Sequence, residues 1–98
     1  MYYMEHLLSL LAGEQARRLE IQAGRPPVIV SEKAQRPLQG PPATEEDVLR
    51  LLHSVAGSRE MRTLRENGAV HFIHTMSGRA PFVIQARMEA GQVRFEVS

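Results

Sequence analysis

Met4, Leu7, Leu8 and Leu11 repeat at the spacing of one helical face and Gly13 then supplies a stop, so the chain opens on an amphipathic helix within residues 1–15. Arg18-Leu19-Glu20-Ile21-Gln22 alternates polar and apolar residues as a half-buried strand does. Ala23-Gly24-Arg25-Pro26-Pro27 breaks that alternation. Its two prolines fix two φ angles and remove two donors, which marks a structural turn carried by Gly24, Pro26 and Pro27. Val28-Ile29-Val30 is a short β-branched run, and residues 35–38 are expected to pair back on it, giving a strand plus hairpin over 18–38.

After the irregular Gln39-Gly40-Pro41-Pro42, Thr44 and the acids Glu45, Glu46 and Asp47 form a helix start. Val48, Leu51, Leu52 and Val55 then make one apolar stripe, with Gly57 as the expected stop. Ser58 is expected to cap a second helix that turns Met61 and Leu64 inward and ends at Asn67-Gly68, which completes a helix pair over 44–67. From Val70 the period changes to two. Val70, Phe72 and His74 face one way and His71, Ile73 and Thr75 the other. Two more alternating segments follow across turns at Ser77-Gly78 and Ala90-Gly91, so 70–97 reads as a three-strand antiparallel meander whose inner positions include Phe82, Ile84, Met88, Phe95 and Val97. The whole is one α+β domain over 1–98, about three helices against an antiparallel sheet of five or six strands.

Composition narrows the chemistry. A chain of 98 residues holds one modest core, and its five aromatics and absence of Trp leave Leu, Val, Ile and Met to fill it. It has no Cys, so disulfides, thiolate metal sites and cysteine nucleophiles are excluded. The formal charge of +1, with acids and bases interspersed, gives no field that favours nucleic acid or a membrane surface. The start Met1-Tyr2-Tyr3-Met4-Glu5-His6 lacks the basic flank of a signal peptide, and no apolar run reaches a membrane-spanning length, so a cytoplasmic location is expected.

Few residues suggest catalysis. His71 and His74 lie three apart on a strand, so they point to opposite faces and cannot share one metal ion. Glu45, Glu46 and Asp47 complement a helix dipole, and no serine sits in a nucleophile elbow. Arg17 and Arg18, with Arg79, Arg87 and Arg94, have two readings. They form either contacts for a partner or a phosphate-bearing ligand, or a solvated face neutralised by Glu20, Glu89 and Glu96.

Residues 16–27, Ala16-Arg17-Arg18-Leu19-Glu20-Ile21-Gln22-Ala23-Gly24-Arg25-Pro26-Pro27, resemble the A-S-D-L-H-L-x-x-G-x-P-P signature at the start of twitching-motility (PilT-type) retraction ATPases, relatives of the type II secretion ATPases. The likeness continues in order through the hairpin, the Pro-rich link, the helix pair, His71-Phe72-Ile73-His74 in place of a D-F-S-F-like strand, and residues 78–85 in place of G-x-A-R-F-R-V-N. It implies a PAS-like domain that precedes an ATPase domain and packs on a neighbouring subunit. The departures are specific: Arg18 and Glu20 replace the signature Asp and His, and Pro81 and Val83 stand where the family's nucleotide-binding arginines would be. No nucleotide contact carries over, because an aliphatic side chain cannot bond phosphate oxygens. The sequence also lacks a G-x-x-x-x-G-K-S/T phosphate loop.

The expectation is a non-enzymatic interaction or regulatory domain with no cofactor and no metal. Its partner would be a protein: a pilus or secretion ATPase, or a second copy of the chain. Two alternatives stay open, a PAS-like sensor of a small ligand or nucleotide and the N-terminal fragment of a retraction ATPase.

Overall fold

The structure, a computed structural model, describes residues 1–14 and 16–98. Gln15, the last residue of the expected N-terminal helical segment, lies outside the described residues. In chain order the elements are α1 (Met4–Gly13), β1 (Arg18–Ile21), β2 (Val28–Val30), β3 (Gln35–Pro37), α2 (Glu45–His53), α3 (Ser58–Asn67), β4 (Ala69–His74), β5 (Phe82–Glu89) and β6 (Gln92–Val97). The described residues thus form three helices and one six-stranded sheet of order β3-β2-β1-β6-β5-β4, as the α+β reading expected. All neighbouring strands are antiparallel.

The two hairpin groups are joined by a long-range pairing. β1 lies against β6 with Leu19 opposite Val97 and Ile21 opposite Phe95, so the first strand and the last form the middle of the sheet. Period-two alternation then fixes what each face holds. Leu19, Ile21, Ile29, Phe82, Ile84, Ala86, Phe95 and Val97 face inward and are buried. The helices cover this inner face from one side to the other: α1 on β1, α2 on β6, and α3 on β4 and β5. Met4, Leu7, Leu8 and Leu11 of α1, Val48, Leu51 and Leu52 of α2, and Leu64 of α3 supply the opposing layer. Each fully buried leucine contributes about 1.5–3 kcal/mol relative to exposure. The opposite face of the sheet carries no helix among the described residues.

Local chemistry sets the helix boundaries. The Thr44 side chain accepts from the Asp47 backbone N–H and the Asp47 carboxylate accepts from the Thr44 N–H, a reciprocal capping box that starts α2. The Asp47 carboxyl is held below its ordinary range, first by that backbone N–H. α2 stops at His53 and does not run on to Gly57. The Ser54 hydroxyl donates to the Leu51 carbonyl at 2.5 Å, and the amides of Val55 and Ala56 both turn back to Leu52 O, which tightens the chain out of the helix. Gly57, rather than Ser58, is the N-cap of α3, and Gly68, with φ at 80°, closes it in the left-handed conformation. Met88 departs from the expected inner set: its register pair with Val93 lies at the hairpin end beyond Ala86, and it is 40% exposed.

The turn at Gly24 fastens the sheet to the second helix. Gly24 has φ at 95°, its N–H donates to Ala43 O at 2.8 Å, and the Ala43 N–H returns to Arg25 O at 3.0 Å. Ala43 is buried and immediately precedes the Thr44 cap, so the Gly24-Arg25-Pro26-Pro27 turn places the start of α2 against the end of β1.

Candidate functional site

Because the helices all pack on the inner face, the chemistry open to a partner collects on the outer one. Register pairing arranges that face in rows across the strands. Glu20, Glu96, Gln85 and His71 form one row, and Arg94, Arg87 and Ala69 form the next. Val83 and Ile73 form a third. A shallow concavity of about 340 Å³ spans β4 to β6 and takes in His71, Gln85, Arg87, Arg94 and Glu96.

Each charged group in the middle of this face has a counterion. Arg18 Nε lies 2.7 Å from one Glu20 oxygen and 3.8 Å from Glu96, while Arg25 Nη2 reaches the other Glu20 oxygen at 3.0 Å. The Glu20 side chain is only 12% exposed. Its carboxyl is held below the usual carboxylate range, chiefly by the hydrogen bond from Arg18, with burial opposing. Arg18 is correspondingly pushed up by the same hydrogen bond. Further along, Glu89 holds two arginines, Arg87 Nε at 3.0 Å and Arg94 Nη1 at 3.3 Å. Arg87 and Arg94 are themselves register partners on β5 and β6, so Glu89 separates two cations that would otherwise face each other directly.

The structure therefore divides the five arginines singled out in the sequence. Arg18, Arg87 and Arg94 share the outer face. Arg17 turns to Glu32 at 3.0 Å beside the β2–β3 turn. Arg79 sits in the β4–β5 turn, its N–H on Met76 O at 3.1 Å, and forms no ion pair among the described residues. They make no single basic patch. His71 is exposed on the outer face and His74 is half-buried on the inner one.

Three features were not read from the sequence. Val28 and Val30 are buried but stand outside the core cluster, flanked in register by Glu20 and Arg18 of β1 and by Pro37 and Gln35 of β3. The signal was present, since a three-residue apolar strand beside an alternating one leaves apolar side chains on both faces. Arg25, inside the Gly-x-Pro-Pro turn, joins the Glu20 network, and its Nε is buried with no hydrogen-bond partner among the described residues. Finally, Val83, where the family resemblance calls for an arginine, is paired with Ile73, and the two are 37% and 68% exposed. An apolar pair thus occupies that part of the outer face.

Among the described residues no helix is long and apolar enough to cross a membrane, and no group of three potential metal ligands comes together. No family model matches the chain, and no curated protein matches it. Solved structures do. The chain superposes on the ADP-bound pilus retraction motor PilT with a TM-score of 0.88 at 21% identity, over 99% of this chain and 29% of that one. The ATPase DotB of Legionella pneumophila matches with a TM-score of 0.72 at 12% identity, over 98% of this chain and 28% of DotB. DotB of Yersinia pseudotuberculosis matches at 0.63 and 16% identity, over 96% and 28%. The chain therefore has the fold of one domain-sized part of PilT and DotB, and spans less than a third of their length.

Proposed function

We propose that this chain is a non-catalytic docking domain of a pilus- or secretion-type ATPase assembly, engaging an ATPase partner through the outer face of its sheet. One observation carries the reading: nearly the whole chain superposes on a part of a pilus retraction motor, while matching 29% of that motor's length. The geometry supports an interaction role over a chemical one. The outer face combines an apolar pair, Ile73 and Val83, with a polar row at Arg87 and Arg94, the mixture found at non-obligate interfaces. Its charged groups are already paired, so a partner must satisfy them by exchange and gains orientation more than raw affinity.

The reading is tested by sedimentation of the purified domain with a PilT-like ATPase from the same cell. Association at micromolar concentration, weakened at least tenfold by Val83→Asp or by the pair Arg87→Glu and Arg94→Glu, is expected. No association at several hundred micromolar, or association indifferent to these changes, sinks the proposal.

A further inference from the structure

The two edges of the sheet are built differently. β3 has three residues, Gln35–Pro37, all exposed, and carries Arg36 and a proline that cannot donate a hydrogen bond. Short length, charge and proline are the devices that keep an edge from pairing. β4 has six residues, Ala-Val-His-Phe-Ile-His, with no Lys, Arg, Asp, Glu or Pro among them. Only one edge of this sheet is guarded.

Backbone parity shows what β4 offers. Met88 N–H donates to Gly68 O at 2.9 Å, and these two residues continue the register in which Ala69 faces Arg87. Bonded and non-bonded pairs alternate along an antiparallel ladder, so Val70, Phe72 and His74 bond to β5, while the N–H and C=O of Ala69, His71 and Ile73 point away from the sheet. These outward groups have no partner among the described residues. Val70 and Phe72 pack against the core on the inner face but remain only half-buried, because their flank on the edge side is open.

We infer that β4 pairs antiparallel with β4 of a second copy about a two-fold axis at His71. This register uses every outward group: Ala69 exchanges bonds with Ile73 of the second copy, His71 with its own equivalent, and Ile73 with Ala69, about six hydrogen bonds in all. It sets Val70 against Phe72 of the second copy in the close non-bonded pairs, covering the two half-buried inner side chains from the side left open. Ala69 meets Ile73 on the outer face, so the residue that is 68% exposed gains an apolar neighbour. Over Ala69 to Ile73 the strand is self-complementary in this register, with His71 meeting its own equivalent on the axis. The guarded β3 edge makes the contact closed: two copies complete it, and no open strand remains to extend a filament. The contact uses the sheet edge rather than the Arg87 and Arg94 region; it shares Ile73 with the proposed docking face, so its test reads self-association of this chain alone, with no ATPase present.

Sedimentation equilibrium over about 10 µM to 1 mM tests this. A strand pair this short is smaller than a standard interface, so the expected result is a mass rising from the 11.0 kDa monomer towards twice that value in the upper part of the range. Ile73→Pro removes an outward N–H and no hydrogen bond to β5, and abolishes the dimer while leaving the circular dichroism intact. Ile73→Lys, a gatekeeper at an exposed site, does the same should the proline variant unfold. His71→Asp sets two like charges opposite each other and weakens pairing at least tenfold, whereas His71→Val strengthens it. Amide exchange at Ala69, His71 and Ile73 slows as concentration rises. A chain that stays monomeric at about 1 mM, or a dimer that both Ile73 variants leave unchanged, overturns the inference and frees the edge for a different chain.

Discussion

Glu20 of β1 and Glu96 of β6 are register partners, two carboxylates directly opposite each other across the central strand pair of the sheet. Like charges in that position destabilise a sheet, and Arg18 is the cation that reaches both, at 2.7 and 3.8 Å. Arg18→Met keeps much of the apolar stem and removes the charge. It is expected to lower the melting temperature by more than its exposure suggests, and Glu96→Gln in the same chain recovers most of the loss. Thermal melts of the two single variants and the double variant give the coupling directly. Additive effects would show that Arg18 does not screen the pair.

The same network sets an acid dependence. The folded-state pKa of Glu20 is depressed, chiefly by Arg18, so the folded protein binds its proton less readily than the unfolded chain does. The resulting stabilisation is fully present above the unfolded carboxylate value of about 4.3 and is lost as pH falls through the lower folded value. Asp47 acts in the same direction through its bond from the Thr44 N–H. Glu20→Gln is therefore expected to flatten the dependence of unfolding free energy on pH below about 5, and to change it little between about 6 and 8. Urea titrations across that range check it, and a slope below pH 5 equal to that of the parent would remove Glu20 as a contributor.

Gly40 lies under Tyr2. The Tyr2 hydroxyl donates to Pro41 O at 2.6 Å, and a Cβ on Gly40 would meet that hydroxyl at 2.6 Å on a backbone whose φ is already 142°. Gly40→Ala thus carries both a clash and a conformational cost, together about 1–3 kcal/mol. Tyr2→Phe removes the nearest clashing atom but not the unusual φ. The double variant is expected to be less destabilised than the sum of the two single ones, yet still less stable than Tyr2→Phe alone. Denaturant titration of the set separates the two costs.

Local signals carried much of the fold into the sequence. The Met4, Leu7, Leu8, Leu11 stripe, the Thr44 cap, the Gly68 stop and the β5–β6 turn each depend on neighbours within one or two turns of chain, and each was legible. The end of α2 was not, because the Ser54 hydroxyl bond to Leu51 O competes with a stripe that continues formally to Val55. The β1–β6 pairing was also hidden: nothing near Leu19 specifies Val97 until both inner faces must be buried together. For the outer face, residue types were visible and partners were not. Glu20, Glu89 and Glu96 were legible as neutralising acids, but which arginine each holds follows from register, and Arg25 entered the network only because the Gly24 turn folds back towards β1.

The β5–β6 hairpin turns through Ala90 and Gly91, with φ at 52° and 80°. Positive φ at both central positions defines the type I′ turn, whose twist matches the flanking strands, and Asn-Gly is its preferred sequence. Gly91 meets the requirement without cost. Ala90 does not: its Cβ crowds the backbone in the left-handed region, where Asn is tolerated far better. Ala90 is exposed and Glu89 faces Gln92 across the turn, so a side chain at position 90 displaces no core residue. Ala90→Asn is therefore expected to stabilise the protein by a few tenths to about 1 kcal/mol, and Ala90→Val to destabilise it by at least as much, since a β-branched residue fits positive φ worst. For a domain of this size the first change corresponds to a rise of up to about 4–8 °C in melting temperature. An Asn variant melting at or below the parent would mean that the turn relaxes away from this conformation in solution, and the Val variant would then be close to neutral as well.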